Sequence, residues 1–201
     1  MPLVFALEGP PCAGKSTVLG RIAEMDQARL AAGEAPRIVV VPEPVETWAE
    51  ALRGVDAGEA GARLALQALA VQHYTRVAAD IAELDPSARV VVERSPRATK
   101  VFALLHKQYD PTRAAAYDFV LSGLPDLDIA GYFELVVPPE AAAQRAGERR
   151  QCGDTGWTAD ALRAYGAVFE AVFDGVPRTP LSGADTDATA ESIVAAVLQT
   201  A

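Results

Sequence analysis

The chain has only two cysteines, Cys12 and Cys152, among 201 residues. Two thiols alone build neither a disulfide framework nor a zinc site, so the expectation is a pair of reduced thiols in a protein of cytosolic type. Positive charge is also short: 18 Lys and Arg stand against 27 Asp and Glu, a net charge of −9. That balance excludes a nucleic-acid backbone or an anionic membrane as the main partner, although a nucleotide needs only a few well-placed cations. No apolar run approaches membrane-spanning length. The apolar run Leu3-Val4-Phe5-Ala6-Leu7 leads straight into a glycine loop and is too short for a signal peptide. These absences predict a cytoplasmic location. With 50% hydrophobic and 22% charged residues, no repeat and no low-complexity linker, residues 1–201 are expected to form one domain with a substantial core.

What is present begins at Gly9-Pro10-Pro11-Cys12-Ala13-Gly14-Lys15-Ser16-Thr17, which fits G-x-x-x-x-G-K-[ST], the phosphate-cradling P-loop. The context fits as well. A buried-type strand precedes it, and Val18, Leu19, Ile22, Ala23 and Met25 follow at helical spacing. Small residues let backbone N–H groups turn toward phosphate oxygens, and a helix N-terminus adds free donors and its dipole. In such a loop Lys15 reaches the β- and γ-phosphates of ATP, and the Ser16 hydroxyl reaches Mg²⁺.

Strand-like runs recur at Leu3–Leu7, Ile38–Val41, Val90–Val92, Tyr132–Val137 and, weakly, Arg178–Leu181. Helical patterns lie near 16–32, 45–53, 60–84, 97–107, 112–122, 139–150, 159–173 and 187–199. Alternation of this kind predicts an α/β fold, a five-stranded parallel sheet with helices on both faces. Ligands of such sheets sit beyond the carboxyl ends of the strands. Two strands deliver carboxylates there: the second leads into Pro42-Glu43-Pro44-Val45-Glu46-Thr47-Trp48 and the third into Glu93-Arg94-Ser95. Phosphoryl transfer needs an aligning acceptor or base, a metal, and cations on the moving charge. Glu43 and Glu93 suit the first two roles and Arg94 the third. A Glu-Pro pair after a strand is also how many helices are capped.

Taken together, these segments resemble the deoxynucleoside kinase family, which includes cellular deoxynucleoside kinases and viral thymidine kinases. Glu43-Pro44-Val45-Glu46-x-Trp48 is similar to a hallmark of that family. Val71-Gln72-His73-Tyr74 resembles its aromatic-Gln-x-Tyr segment, and Glu93-Arg94-Ser95 its Glu-Arg-Ser. Pro138-Pro139-Glu140, followed by Arg145, Arg149 and Arg150, is similar to its arginine-bearing lid, placed at about 145–157. Leu181-Ser182-Gly183-Ala184-Asp185 resembles the loop against the adenine of ATP. The resemblance implies the P-loop kinase fold and 5′-phosphorylation of a deoxynucleoside, thymidine or another pyrimidine, by ATP and Mg²⁺. It implies that Glu43 accepts the 5′-hydroxyl proton and that Glu93 holds Mg²⁺ with Ser16. Arg94 would steady the transferring phosphate, Gln72 would read the base, and Trp48 and Thr99 would line the nucleoside pocket. A homodimer is the implied assembly.

The sequence also departs from the family. Counting from Gln72 and from the lid puts Gly61 and Ala164 where a tyrosine and a glutamate usually hold the 3′-hydroxyl, with Arg63, Arg163 or Tyr165 as possible substitutes. Thr75, Ala79 and Thr99, all small, would face the base. Two other readings stay open. One is a nucleoside monophosphate kinase of thymidylate-kinase type, with Phe5, Glu8 and Gly9 matching its loop start and Arg63 or Arg97 binding the acceptor phosphate. The other is a nucleotide-binding regulatory protein.

Overall fold

Five apolar runs pair as parallel strands: β1 (Leu3–Glu8), β2 (Ile38–Val41), β3 (Arg89–Glu93), β4 (Ile129–Val136) and β5 (Thr179–Ser182). In this computed structural model, which describes residues 1–200, they order as β2-β3-β1-β4-β5. Eight α-helices connect or follow them: α1 (Lys15–Ala31), α2 (Ala49–Asp56), α3 (Ala62–Ala82), α4 (Pro96–Tyr109), α5 (Ala114–Leu121), α6 (Pro139–Arg149), α7 (Ala159–Val172) and α8 (Thr186–Gln199). The expected parallel α/β architecture is what is observed.

Alternation along β1 sorts its side chains between two faces, as strand geometry requires. Phe5 and Leu7 pack with Ile22 of α1 and Ile193 of α8. Val4 and Ala6 face the other way, onto Val77 and Ile81 of α3. Both faces are therefore dry, which is why these strands read as continuous apolar runs. Each fully buried side chain of this size contributes about 1.5–3 kcal/mol. A third cluster packs α4 on α7 through Val101, Leu105, Tyr165, Phe169 and Phe173.

The register places the chemistry. Leu7 of β1 is level with Glu93 of β3, and Val41 of β2 is level with Val92. The carboxyl ends of β1, β2 and β3 thus come out at one height. After β1 the chain crosses to β2, and after β3 it crosses to β4 on the opposite side. This reversal of winding beside β1 opens the crevice in which doubly covered sheets bind ligands.

Some element ends differ from the periodicity. The 45–53 helix starts only at Ala49, because Thr47 and Trp48 donate their N–H groups to Pro44 O in turns first. The segment near 112–122 splits into a 3₁₀ turn, Pro111–Arg113, and α5.

Candidate active site

Residues 9–14 form a loop that leads into α1, and its two glycines sit where the backbone demands them. Gly9 has φ 138°, and a Cβ there would stand 2.9 Å from Leu135 O. Gly14 has φ 97° and precedes α1 without a side-chain cap, so the first N–H groups of that helix have no side-chain acceptor. Uncapped donors of this kind make an anion site. Lys15 is buried, and its Nζ donates to Pro10 O at 2.9 Å and Gly9 O at 3.2 Å. Burial, with help from nearby Arg94, lowers its pKa to about 8 against the opposing pull of Glu93, Glu43 and Glu8.

Beside the loop, Ser16 Oγ donates to the Glu93 carboxylate at 3.1 and 3.2 Å. The Glu43 backbone N–H donates to the same carboxylate at 3.3 Å. The Glu43 side chain pairs with Arg94, and both are nearly buried. Burial raises the Glu43 pKa; Arg94 opposes that rise and Glu93 adds to it. Glu43, Glu93, Arg94, Lys15 and Ser16, five of the residues expected to carry the chemistry, therefore meet along one wall. Among the described residues, no three His, Cys, Asp or Glu side chains gather into a metal cage. A hydroxyl and one carboxylate beside a phosphate loop nevertheless fit Mg²⁺, which is usually held by one or two carboxylates together with substrate phosphates.

These groups line a cavity of about 430 Å³ that extends from the loop toward α3 and α4. Trp48, Thr99, Phe102 and Tyr74 wall the pocket, and Arg63 lies over the Tyr109 ring at 5.4 Å. Trp48 and Thr99 thus line this cavity. Gln72 does not: it is exposed on another face of α3. The amide in the pocket is Gln67, only 3% exposed, with its Nε2 3.3 Å from His106 Nδ1 and its Oε1 unpartnered. Burial holds His106 neutral, with a pKa of about 4. The reason lies in the helix itself. Its buried stripe runs Gln67, Ala70, Tyr74, Val77, Ile81, and Gln72, five residues past Gln67, lies about 140° round the axis. Extending the stripe back from Ile81 would have reached Gln67 as a polar residue at a core position.

The arginines of α6 divide. Arg145 donates to Ala13 O at 3.1 Å, and Arg149 to Asp154 Oδ2 at 2.9 Å and to Cys12 Sγ at 3.5 Å, so both lie over the P-loop. Arg150, assigned with them, is instead exposed in a left-handed conformation that ends the helix, and its Nε donates to Gly147 O. No motif pointed to Asp154, yet it is 8% exposed and also accepts from Cys12. Asp185 caps α8 by accepting from Ala188 N at 3.0 Å and does not line the cavity. Its neighbour Gly183 makes the close approach: a Cβ there would meet Val137 at 2.8 Å and Ala13 O at 3.3 Å.

Arg97 also turns away from the cavity, donating to Val172 O at 3.0 Å and lying over Phe173. Arg163 and Ala164 are exposed, and Gly61 is outside the cavity lining. Glu8, which the loop-start motif located without giving it a role, is a further residue at the site. It is fully buried beneath the loop, and its Oε1 accepts from Ser95 N at 2.8 Å. Burial pushes its carboxyl up to about 7, against the pull of Ser95 and Arg94.

No protein-family model matches the sequence, and a comparison with curated proteins found no match. Among solved structures, the chain is similar to deoxyadenosine kinase from M. mycoides with the products dCMP and a flexible dCDP bound. The TM-score is 0.79 at 14% identity, covering 98% of this chain and 100% of that one. A second structure of deoxyadenosine kinase from M. mycoides, with dATP bound, gives 0.65 at 17% identity, covering 96% and 98%. The chain has the fold of those kinases. No helix in it is long and apolar enough to cross a membrane.

Proposed function

We propose that this chain is a phosphotransferase of the deoxynucleoside kinase family, moving the γ-phosphoryl group of ATP to the 5′-hydroxyl of a deoxynucleoside. One observation carries the reading. A P-loop, a serine–carboxylate pair, a carboxylate–arginine pair and a buried amide line one cavity. The P-loop supplies donors for the donor phosphates, with Lys15, Arg145 and Arg149 as its cations. Glu43 aligns the acceptor hydroxyl and takes its proton. Arg94 holds Glu43 and meets the charge that develops on the transferring group. Ser16 and Glu93 would hold Mg²⁺, which would supply neutralisation of the charge on the donor phosphates.

Gln67 takes the base-reading role, since an amide offers both a donor and an acceptor. A pyrimidine, thymidine first, is the proposed acceptor. The named neighbours are deoxyadenosine kinases, so purines belong in the same test. A homodimer is the proposed assembly, and Phe119, Tyr109 and Leu104 are exposed on the adjoining α4 and α5. Sedimentation would report it.

The monophosphate-kinase alternative is left with Arg63 as its only cavity-lining candidate for the acceptor phosphate, because Arg97 is engaged elsewhere. A coupled ADP-release assay with four deoxynucleosides and their monophosphates decides between the two. Turnover of a nucleoside supports the proposal. Preference for any monophosphate over every nucleoside overturns it.

A further inference from the structure

Arg94 has φ 60°, a left-handed conformation that a side-chain-bearing residue adopts only when its surroundings hold it there. Two consecutive N–H groups supply that hold. Arg94 N donates to Leu7 O at 3.0 Å, and Ser95 N donates to Glu8 Oε1 at 2.8 Å. Both acceptors belong to the last two residues of β1, directly before the P-loop. The Ser95 bond is the unusual one. It uses a wholly buried carboxylate where the next strand residue could have been apolar like Leu7. Glu8 Oε2 and Ser95 Oγ are not otherwise bonded and have no access to water. A buried carboxylate without an ion-pair contact costs stability, so its presence asks for another reason.

We infer that Glu8 is a positioning residue for Arg94: by accepting the Ser95 N–H it fixes the left-handed turn that aims the Arg94 guanidinium at Glu43. The inference rests on the proposed phosphoryl transfer only for its kinetic consequence. The hydrogen bond, the turn and the ion pair stand without it. Glu8 touches no reacting group; it acts through the backbone.

The test contrasts Glu8→Gln with Glu8→Leu. Glutamine keeps the acceptor oxygen and the shape while losing the charge. Leucine keeps the bulk and removes the acceptor, and exchanging a buried charge for an apolar side chain commonly leaves a protein at least as stable, so that variant should fold. In Glu8→Leu, kcat should fall about 100-fold, the usual loss for a misplacement near 1 Å, with KM for ATP within twofold. Glu8→Gln should stay within about fivefold of the parent in kcat, an allowance on that same positional scale. Should the parent turn over no nucleoside, the proposed function fails alone. The inference is then judged by NMR of the Arg94 side-chain Nε–H, expected to be protected from solvent exchange in the parent and in Glu8→Gln and unprotected in Glu8→Leu. Equal kcat loss in both variants, or an Arg94 signal unchanged in Glu8→Leu, would overturn it.

Discussion

Glu43 and Arg94, 51 positions apart, form a nearly buried ion pair at the ends of the neighbouring strands β2 and β3. Neither end is idle. The backbone of Glu43 is tied to Glu93, which takes the Ser16 hydroxyl, and the backbone of Arg94 is tied to β1. The pair is thereby locked to the phosphate loop through both of its members. Breaking one partner of such a pair strands the other charge in a poorly hydrated site.

Glu43→Gln should lower kcat by about 10²–10⁴, the range for loss of a general base, while KM for ATP changes little. Raising Mg²⁺ should not restore it. Glu93→Gln should instead respond to added Mg²⁺. Steady-state kinetics at two Mg²⁺ concentrations checks both, and rescue of the Glu43 variant would reverse the two assignments.

Lys15→Ala removes a buried cation held on the carbonyls of its own loop. A donor aimed at developing charge is worth about 10²–10³ in kcat, and that loss is expected with the fold intact by circular dichroism. Near-normal turnover would contradict the role of the loop.

Gln67→Ala should raise the nucleoside KM about 10-fold or more, because the truncation leaves buried base groups unpaired. Gln72→Ala should leave it unchanged, since that side chain is in solvent. His106 stays neutral down to about pH 4, so its contact with Gln67 should add no step to the nucleoside KM between about pH 5 and 8. Equal effects at 67 and 72 would mean that α3 presents a different face to the cavity.

Glu8 also predicts a pH dependence of stability. Its carboxyl is raised from 4.5 to about 7, chiefly by burial, with Ser95, Arg94 and Lys15 pulling the other way. Tyr74, Tyr165 and Tyr132 are further titratable side chains that feel its charge. The native state therefore binds the extra proton between these values. This contribution is fully present below pH 4.5 and is lost as pH rises through 7. His106 acts oppositely: its folded pKa is depressed, so its contribution is present above 6.5 and lost as pH falls through 4. Comparing the parent with Glu8→Leu isolates the first effect, because His106 is common to both. The advantage of the variant should grow by about 3 kcal/mol from pH 4.5 to 7, since each tenfold change in proton affinity is worth ~1.4 kcal/mol. Urea denaturation at four pH values measures it, and a constant difference would contradict the assignment.

Cys12 gives a chemical handle. It is half-buried, burial raises its pKa, and Asp154 and Arg149 lie against its sulfur. Iodoacetamide should modify it slowly at neutral pH, faster as pH rises, and more slowly with ATP present. A Cys12→Ser variant should keep its turnover under the same treatment. Full activity of the modified parent would show that the loop tolerates bulk there.

Much of this was legible from the residues. β1, β2 and β3 pack on both faces, so their sequences are largely apolar runs, and the groups at their carboxyl ends are set by parallel register. Glu43, Glu93 and Arg94 could be placed for that reason. Gln67 could not, because a motif with a Gln and a Tyr two apart pointed to Gln72, while only the buried stripe through Tyr74 and Ala70 distinguishes the two amides. Glu8 was located by the loop-start motif, but its role was not legible, because its partner, a backbone N–H, leaves no trace in side-chain identity. Arg145, Arg149 and Arg150 look alike in the chain, but a left-handed helix end at Arg150 turns the third away.

The segment after α6 is fastened at a second place. Gly153 N donates to Asp56 Oδ2 at 2.8 Å, and Leu52 packs so closely on Gly153 that a Cβ would lie 2.7 Å away. Asp56 ends α2, which with α3 walls the inner pocket. Any swing of residues 150–158 away from the P-loop must either release Asp56 or drag α2 along. The segment that lies over the phosphate loop and the α2 wall of the same cavity are therefore geared: neither can shift without straining the other.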